Sequence, residues 1–339
     1  MSANEPASSL SRHQSLAALR AAGEATRLRI LALLSRGELN VKELTQILGQ
    51  SQPRISRHLK LMAEAGLITR FREGSWVFFR LAESGSEASL AEAIVASLDQ
   101  SDADFARDRG RELAVQKSRA EAAQSYFRSH AKEWDRIRAL HVAEDQVEAA
   151  IEEALGQGPF DLVVDLGTGT GRMLELFAPR ARRVLGLDIS HDMLGYARMK
   201  LERAGLINAQ ARQGDLYNVP LEDSSADAVI LHQVLHFLDD PAAAIAEASR
   251  LLVPGGKLLI VDFAPHELEF LREQSAHRRL GFAQDQIKRW LQESGLDVDR
   301  SRDLAPRSSD KLTVSLWLAT KPANASQKKK SKVKVEEVA

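Results

Sequence analysis

The first apolar pattern along the chain is helical. Leu28, Ile30, Leu31, Leu33 and Leu34 give one helix a broad apolar face, and Gly37 ends it. Asn40 stands where the next helix, 41–48, needs a cap, and Glu43 lies three residues on as its capping-box partner. Gly49 then breaks the chain. Ser51 is placed to cap a third helix, 52–65, with Pro53 in its first turn, where proline is tolerated. Two short helices joined by a tight Gly-containing turn predict a helix-turn-helix. On the third helix Ile55, Leu59 and Met62 share one face. Arg57 and Lys60 lie opposite, with Arg54 and Ser56 on the flanks. The runs 67–72 and 75–80 predict two strands turning at Glu73-Gly74, and Arg70 and Arg72 alternate there with apolar neighbours.

The pattern changes twice more. Residues 84–158 read as almost entirely helical and are rich in Ala, Glu and Arg. From 160 to 321, apolar strand-like runs alternate with amphipathic helices, which predicts a parallel α/β sheet. The end, 322–339, is a Lys run followed by Glu-Glu with few apolar residues, and is expected to be disordered. The expected boundaries are 10–84, 85–157, 158–321 and 322–339. The fold class is multidomain, α+β followed by α/β. No internal repeat is visible.

Composition narrows the choices. The 339 residues suit two domains, and 44% hydrophobic with 27% charged residues is an ordinary globular balance. No apolar run reaches the length of a membrane span, and the polar, Ser-rich N-terminus carries no signal-peptide pattern, so a soluble, cytoplasmic protein is expected. There is no cysteine. That removes disulfides, thiolate metal sites and cysteine nucleophiles together. The net charge of −1 hides an asymmetry: residues 1–84 hold 12 Lys+Arg against 7 Asp+Glu, a net of +5. A basic outward face starting at a helix N-terminus is what major-groove reading requires. Gln52, Arg54, Ser56, Arg57 and Lys60 are the candidate readers on the helix. Arg70 and Arg72 are placed to lie against phosphates.

The stretch from Ser51 through Arg54, Arg57, His58, Lys60 and Gly66 to Ile68 resembles the recognition helix and wing entry of the ArsR/SmtB family. The resemblance covers 12–82 and implies a winged helix-turn-helix in a dimeric repressor that releases DNA when an inducer binds. Thiolate sensors of that family carry Cys on the helix matching 38–44, which has none here. Other members place His and acids on the dimer helix after the wing, and the matching stretch 86–98 has no His. Metal sensing is therefore not expected, and another signal must be sought. His58 reads as a structural histidine and Trp76 as wing packing.

The strand 160–165 runs into a loop with Gly167, Thr168, Gly169 and Gly171, then a short helix. Glycines there let the backbone turn tightly and approach a ligand. The next strand ends in Asp188, 21 residues after Gly167, the spacing at which a carboxylate meets a ribose diol. A dinucleotide fingerprint needs glycine at 172, which is Arg172, and a pyrophosphate would not favour Asp165 at the strand end. A ligand with an amino-acid end and an adenosine end fits better.

This loop, with Gln213-Gly214-Asp215, the strand 226–232 and the helix–turn–strand 250–262, resembles class I S-adenosylmethionine-dependent methyltransferases, a Rossmann-like seven-stranded fold. The subtype is similar to ubiquinone/menaquinone-biosynthesis and arsenite methyltransferases; arsenite chemistry conflicts with the missing cysteines. The resemblance implies a cofactor site lined by Gly167, Thr168, Gly169, Gly171, Asp188, Ile189, Asp215, Leu216 and His232. Asp165 would face the ammonium or sulfonium side, and Met193 would flank the adenine or simply pack. The segment from Tyr126 to Trp134 resembles the subtype's lid. His232 and His236 are candidate general bases. With no third ligand nearby they are not read as a metal site. The charged segment 264–282, with His266, His277, Arg278 and Arg279, reads as a solvated helix face or as a contact for an acidic substrate or the partner domain.

Together these readings lead to a transcription repressor, homodimeric on double-stranded operator DNA, with S-adenosylmethionine or S-adenosylhomocysteine as its effector. Residues 87–98 would form the dimer helix and 102–124 a connecting helix. The alternatives are an active methyltransferase of a small molecule that also regulates transcription, or one that the winged helix only dimerises.

Overall fold

The computed structural model describes residues 10–73, 76–82, 85–131, 144–306 and 312–323. The chain divides into two compact units, 1–122 and 123–339.

The first unit opens with α1 (Arg12–Ala22) and α2 (Ala25–Leu34). Ser11 and Gln14 form a capping box on α1. A two-residue strand, β1 (Leu39–Asn40), leads into α3 (Val41–Leu48), where the Asn40–Glu43 capping box forms as expected, both bonds at 3.0 Å. Gly49 ends α3 in the left-handed region, at φ 65°. Then follow α4 (Gln52–Glu64), β2 (Ile68–Glu73), β3 (Trp76–Leu81) and α5 (Ser86–Ala96). Ser51 sits at the N-cap of α4 with extended backbone, but its side chain makes no capping bond, which corrects the expectation for that residue. The short β1 was not foreseen: it pairs with β3, making a three-stranded sheet in the order β1-β3-β2. Ile55, Leu59 and Met62 are buried against Ile30, Leu31, Leu44 and Ile47, so the helix phase read from the pattern is the observed one.

The connecting helix is longer than expected. One helix, α6 (Ala103–His130), runs through the position of Tyr126, so the start of the anticipated lid is helical and continuous with the connector. Trp134 lies outside the described residues. The first part of α6 is bound to the first unit by ion pairs. Arg29 grips the buried Asp108 with two bonds of 2.6 Å, Arg36 meets Glu112 at 3.4 Å, and Arg111 donates to the Ile47 carbonyl at the end of α3, 3.1 Å away. The helical stretch expected between the domains is thus shared between them.

The second unit is a seven-stranded sheet. Its elements are α7 (Glu144–Leu155), β4 (Phe160–Leu166), α8 (Arg172–Phe177), β5 (Ala181–Asp188), α9 (His191–Arg203), β6 (Ala209–Gln213), β7 (Ala226–His232), α10 (Pro241–Leu251), β8 (Leu252–Phe263), α11 (Phe270–Gln274), α12 (Gln284–Glu293), β9 (Asp297–Leu304) and β10 (Val314–Thr320). The strand order is β6-β5-β4-β7-β8-β10-β9, and β10 runs antiparallel to both its neighbours. Alternation along β4 shows how the sheet is buried. Val163 joins the core under α7, α8 and α9, while Leu162, Val164 and Leu166 join the core under α10 and α12. Both faces are covered, which is why these strands read as nearly continuous apolar runs. Strand order reverses between β4 and β7, and at such a switch point the loops after the two strands part to leave a crevice at their carboxyl ends.

Candidate cofactor site and nucleic-acid face

The loop after β4 is held by its neighbours. The N–H groups of Gly167 and Thr168 both donate to the Leu187 carbonyl at the end of β5, 2.8 and 2.9 Å away. Gly167, Gly169 and Gly171 all have positive φ. A Cβ on Gly167 would lie 2.3 Å from Val234, so only glycine lets the loop pack on the segment after β7. Gly186 plays a matching part that sequence reading missed: a Cβ there would lie 2.5 Å from the Thr168 hydroxyl. A glycine within a strand is the usual sign of such close approach.

Asp188 closes the loop from the other side. Its Oδ2 accepts from the Gly169 N–H and its Oδ1 from the Ser190 N–H, each at 2.8 Å. Burial pushes its carboxyl above the usual aspartate range, and the Ser190 and Gly169 N–H groups oppose the shift. A carboxylate offers about four acceptor positions, so Asp188 keeps capacity for a pair of hydroxyl donors. Beside it Ile189 is half exposed, an apolar surface of the kind a flat base covers. The Thr168 hydroxyl is buried and makes no hydrogen bond among the described residues. These features fit an adenosyl ligand: an acceptor for a diol, an exposed apolar neighbour and a spare buried polar atom in the glycine loop.

The remaining candidates divide. Asp165 is buried at the end of β4. Asp215 is exposed, and its Oδ1 accepts from the Tyr217 N–H at 2.9 Å; Leu216 packs on the core beside it. Met193 is buried on α9, so its side chain packs inside. His232 ends β7 and is partly exposed. Arg172, which breaks the dinucleotide pattern, makes a two-bond ion pair with Glu148 of α7, at 2.6 and 2.7 Å.

His236 stands apart from His232. It lies in a single helical turn, Leu235–Phe237, and is buried. Its Nδ1 lies 2.7 Å from Oδ1 of Asp262, a fully buried residue near the end of β8. The segment 264–282 corrects the solvated-face reading. Its only described helix is the short α11, and His277 and Arg279 are buried. The His277 ring lies 4.2 Å from that of His236, and the N–H groups of Arg278 and Arg279 donate to the His236 carbonyl. At the end of α6 Phe127 packs edge-on against Phe237, with ring centres 4.9 Å apart, and Tyr126 packs on His130. Among the described residues no group of three or more His, Cys, Asp or Glu is arranged to hold a metal.

In the first unit Gln52, Arg54, Ser56, Arg57 and Lys60 are all exposed along α4, and Arg70 and Arg72 are exposed on β2. His58 is not among them. It is partly buried, 3.6 Å from Glu24, and burial lowers its pKa against the pull of that carboxylate. Trp76 stacks on Phe78 with ring centres 6.1 Å apart, although it stays exposed. Among the described residues no helix is long and apolar enough to cross a membrane.

Comparison with known proteins agrees with this division. Residues 24–70 match the model for bacterial regulatory proteins of the arsR family, and residues 164–260 match a methyltransferase domain. An uncharacterised methyltransferase of Mycobacterium bovis is 38% identical over 112 residues, covering 33% of this chain and 44% of that protein. A demethylmenaquinone methyltransferase of Deinococcus radiodurans is 34% identical over 152 residues, covering 43% of this chain and 62% of that protein. The chain thus spans about half the length of these relatives. Among solved structures, a methyltransferase-like protein from Bacillus halodurans is matched over 52% of this chain and 99% of its own, at 21% identity and a TM-score of 0.46. The chain joins an arsR-family regulatory domain to a methyltransferase domain.

Proposed function

We propose that the protein is a homodimeric transcription repressor whose second unit binds S-adenosylmethionine or S-adenosylhomocysteine as its effector. The observation that carries this reading is the Asp188–Gly169 clamp. A DNA reader with no cysteine is followed in the same chain by a glycine loop tied to a carboxylate that keeps acceptor capacity for a diol. Asp188 would take the ribose hydroxyls. Ile189, Asp215 and Leu216 would border the adenine, with Met193 behind them as packing. Gly167, Thr168, Gly169 and Gly171 would meet the amino-acid end, with Asp165 and His232 lining the crevice. When bound, S-adenosylmethionine would supply an electrophilic methyl group. Arg54 and Arg57 would read base edges, supported by Gln52 and Ser56, and Lys60, Arg70 and Arg72 would hold phosphates.

A ligand shifts DNA binding only through its differential affinity for two states. The element available for this is α6. Its first turns are held by Arg29, which grips Asp108, and by its own Arg111, which donates to the Ile47 carbonyl of α3, and its last turns place Phe127 on Phe237, next to His236. Coupling of about 1–3 kcal/mol would suffice for regulation. Titration calorimetry with both cofactor forms, combined with operator binding in their presence and absence, tests the reading. Operator affinity indifferent to both ligands would refute it.

A further inference from the structure

A protein that only senses the cofactor has no need of a proton acceptor beside it. We infer that His236 is the general base of a methyl-transfer step, that Asp262 positions it, and that the acceptor is a planar aromatic or enolic compound with a weakly acidic hydroxyl. The inference rests on the cofactor reading above.

The geometry starts from Asp262. Its Oδ1 accepts the Phe263 N–H at 2.8 Å and lies 2.7 Å from His236 Nδ1, while its Oδ2 accepts the His236 N–H at 3.3 Å. A carboxylate only accepts, so Nδ1 carries the ring proton and Nε2 the lone pair. No described residue hydrogen-bonds to that Nε2. The pair is tied to the cofactor loop through Val234, two residues before His236, on which Gly167 packs with no room for a Cβ.

Around the ring stand flat surfaces. Phe237, Phe263 and His277 have ring centres 4.0, 5.0 and 4.2 Å from that of His236. Such walls suit a planar acceptor. The titratable and charged neighbours are Asp262 on β8, His277, and Arg278 and Arg279, whose N–H groups hold the His236 carbonyl. Arg278 is itself ion-paired with Asp239.

In the step, His236 Nε2 takes the hydroxyl proton while the acceptor's electron pair forms the new bond to the methyl carbon. The S–CH3 bond breaks with its electrons kept by sulfur, leaving S-adenosylhomocysteine. The imidazolium, balanced by Asp262, then returns its proton to water.

The test uses para-nitrophenol, a planar hydroxylated probe that is yellow only when ionised. The full-length protein is titrated with it at a pH below the probe's own ionisation, with S-adenosylhomocysteine present. The ionised fraction of bound probe is expected to rise about tenfold, one unit of pKa. That rise should vanish in His236→Gln and shrink in Asp262→Asn, in samples whose melting curves show them folded. The wild-type spectrum decides even if Asp262→Asn fails to fold. The proposal is overturned if wild type leaves the probe colourless while calorimetry shows S-adenosylhomocysteine bound, or if folded His236→Gln ionises it as well. Calorimetry that finds no S-adenosylhomocysteine bound removes the cofactor reading and the methyl donor with it.

Discussion

Replacing Asp188 by Ala removes the acceptor proposed for both ribose hydroxyls and unties the glycine loop, since Gly169 and Ser190 each lose a 2.8 Å bond to it. A hydrogen bond to a charged group contributes about 1.5–3 kcal/mol. Two such bonds would sum to about 3–6 kcal/mol. Water reaches the half-buried site and replaces part of this, so a loss of about 3 kcal/mol, or roughly a hundredfold in affinity, is expected. Calorimetry with S-adenosylhomocysteine measures it. Operator binding by the variant should persist but no longer respond to the ligand. A loss smaller than about threefold would show that Asp188 is not the ribose acceptor.

The pH dependence of the same site has a defined sign. Burial raises the Asp188 pKa above its ordinary value. Its contribution to the stability of the free protein is therefore fully present below the unfolded pKa and is lost as pH rises through the folded one. Ligand binding runs the opposite way, because the diol needs the ionised form. Thermal stabilisation by saturating ligand should thus grow as pH rises across that interval. Stabilisation that stays flat or falls there would contradict the assignment.

The other expectations concern the reader and its support. Arg57→Ala should cost about 1–3 kcal/mol on operator and relax sequence discrimination, seen by anisotropy on matched and mismatched duplexes. Lys60→Ala should weaken all duplexes alike and lower the salt slope by about one. Sedimentation should show a homodimer on a near-palindrome with half-sites about one helical turn apart; a monomer both free and on DNA would refute this. Asp108→Ala leaves the Arg29 guanidinium, 13% exposed, without its buried partner, and should cost the first unit about 3–5 kcal/mol in denaturant titration.

Much of this molecule was legible because its local signals agree. The Asn40–Glu43 box, the burial of Ile55, Leu59 and Met62, and the glycine loop between β4 and α8 each depend on residues a few positions apart. Periodicity and capping chemistry report on that range directly. Where the expected and observed structures part, the deciding contact is distant in sequence. The two-residue β1 exists because Leu39 and Asn40 pair with Phe79 and Phe78, which no pattern at position 39 announces. The connecting helix, expected over 102–124, continues past Tyr126 to His130. The charges of 264–282 read as solvated because a charge run usually is, whereas in the fold His277 and Arg279 are buried next to His236.

The same distinction separates the two activities considered for the second unit. The proposed cofactor site is written in a short stretch, Gly167 to Asp188, whose spacing follows from one loop and one strand. A proton acceptor is not: His236 and Asp262 lie 26 positions apart and meet only because β7 and β8 are neighbours in the sheet. His232 and His236 look equivalent along the chain, four residues apart, and the fold makes them unequal. One ends a strand; the other is locked on a buried carboxylate through its first ring nitrogen. A burial cost of that kind is hard to account for in a domain that only holds the cofactor, because Asp262 could be replaced by an apolar residue in the β8 core without touching the glycine loop. The proposed binding and the proposed turnover therefore rest on different residues, and variants at Asp188 and at His236 should separate regulation from chemistry.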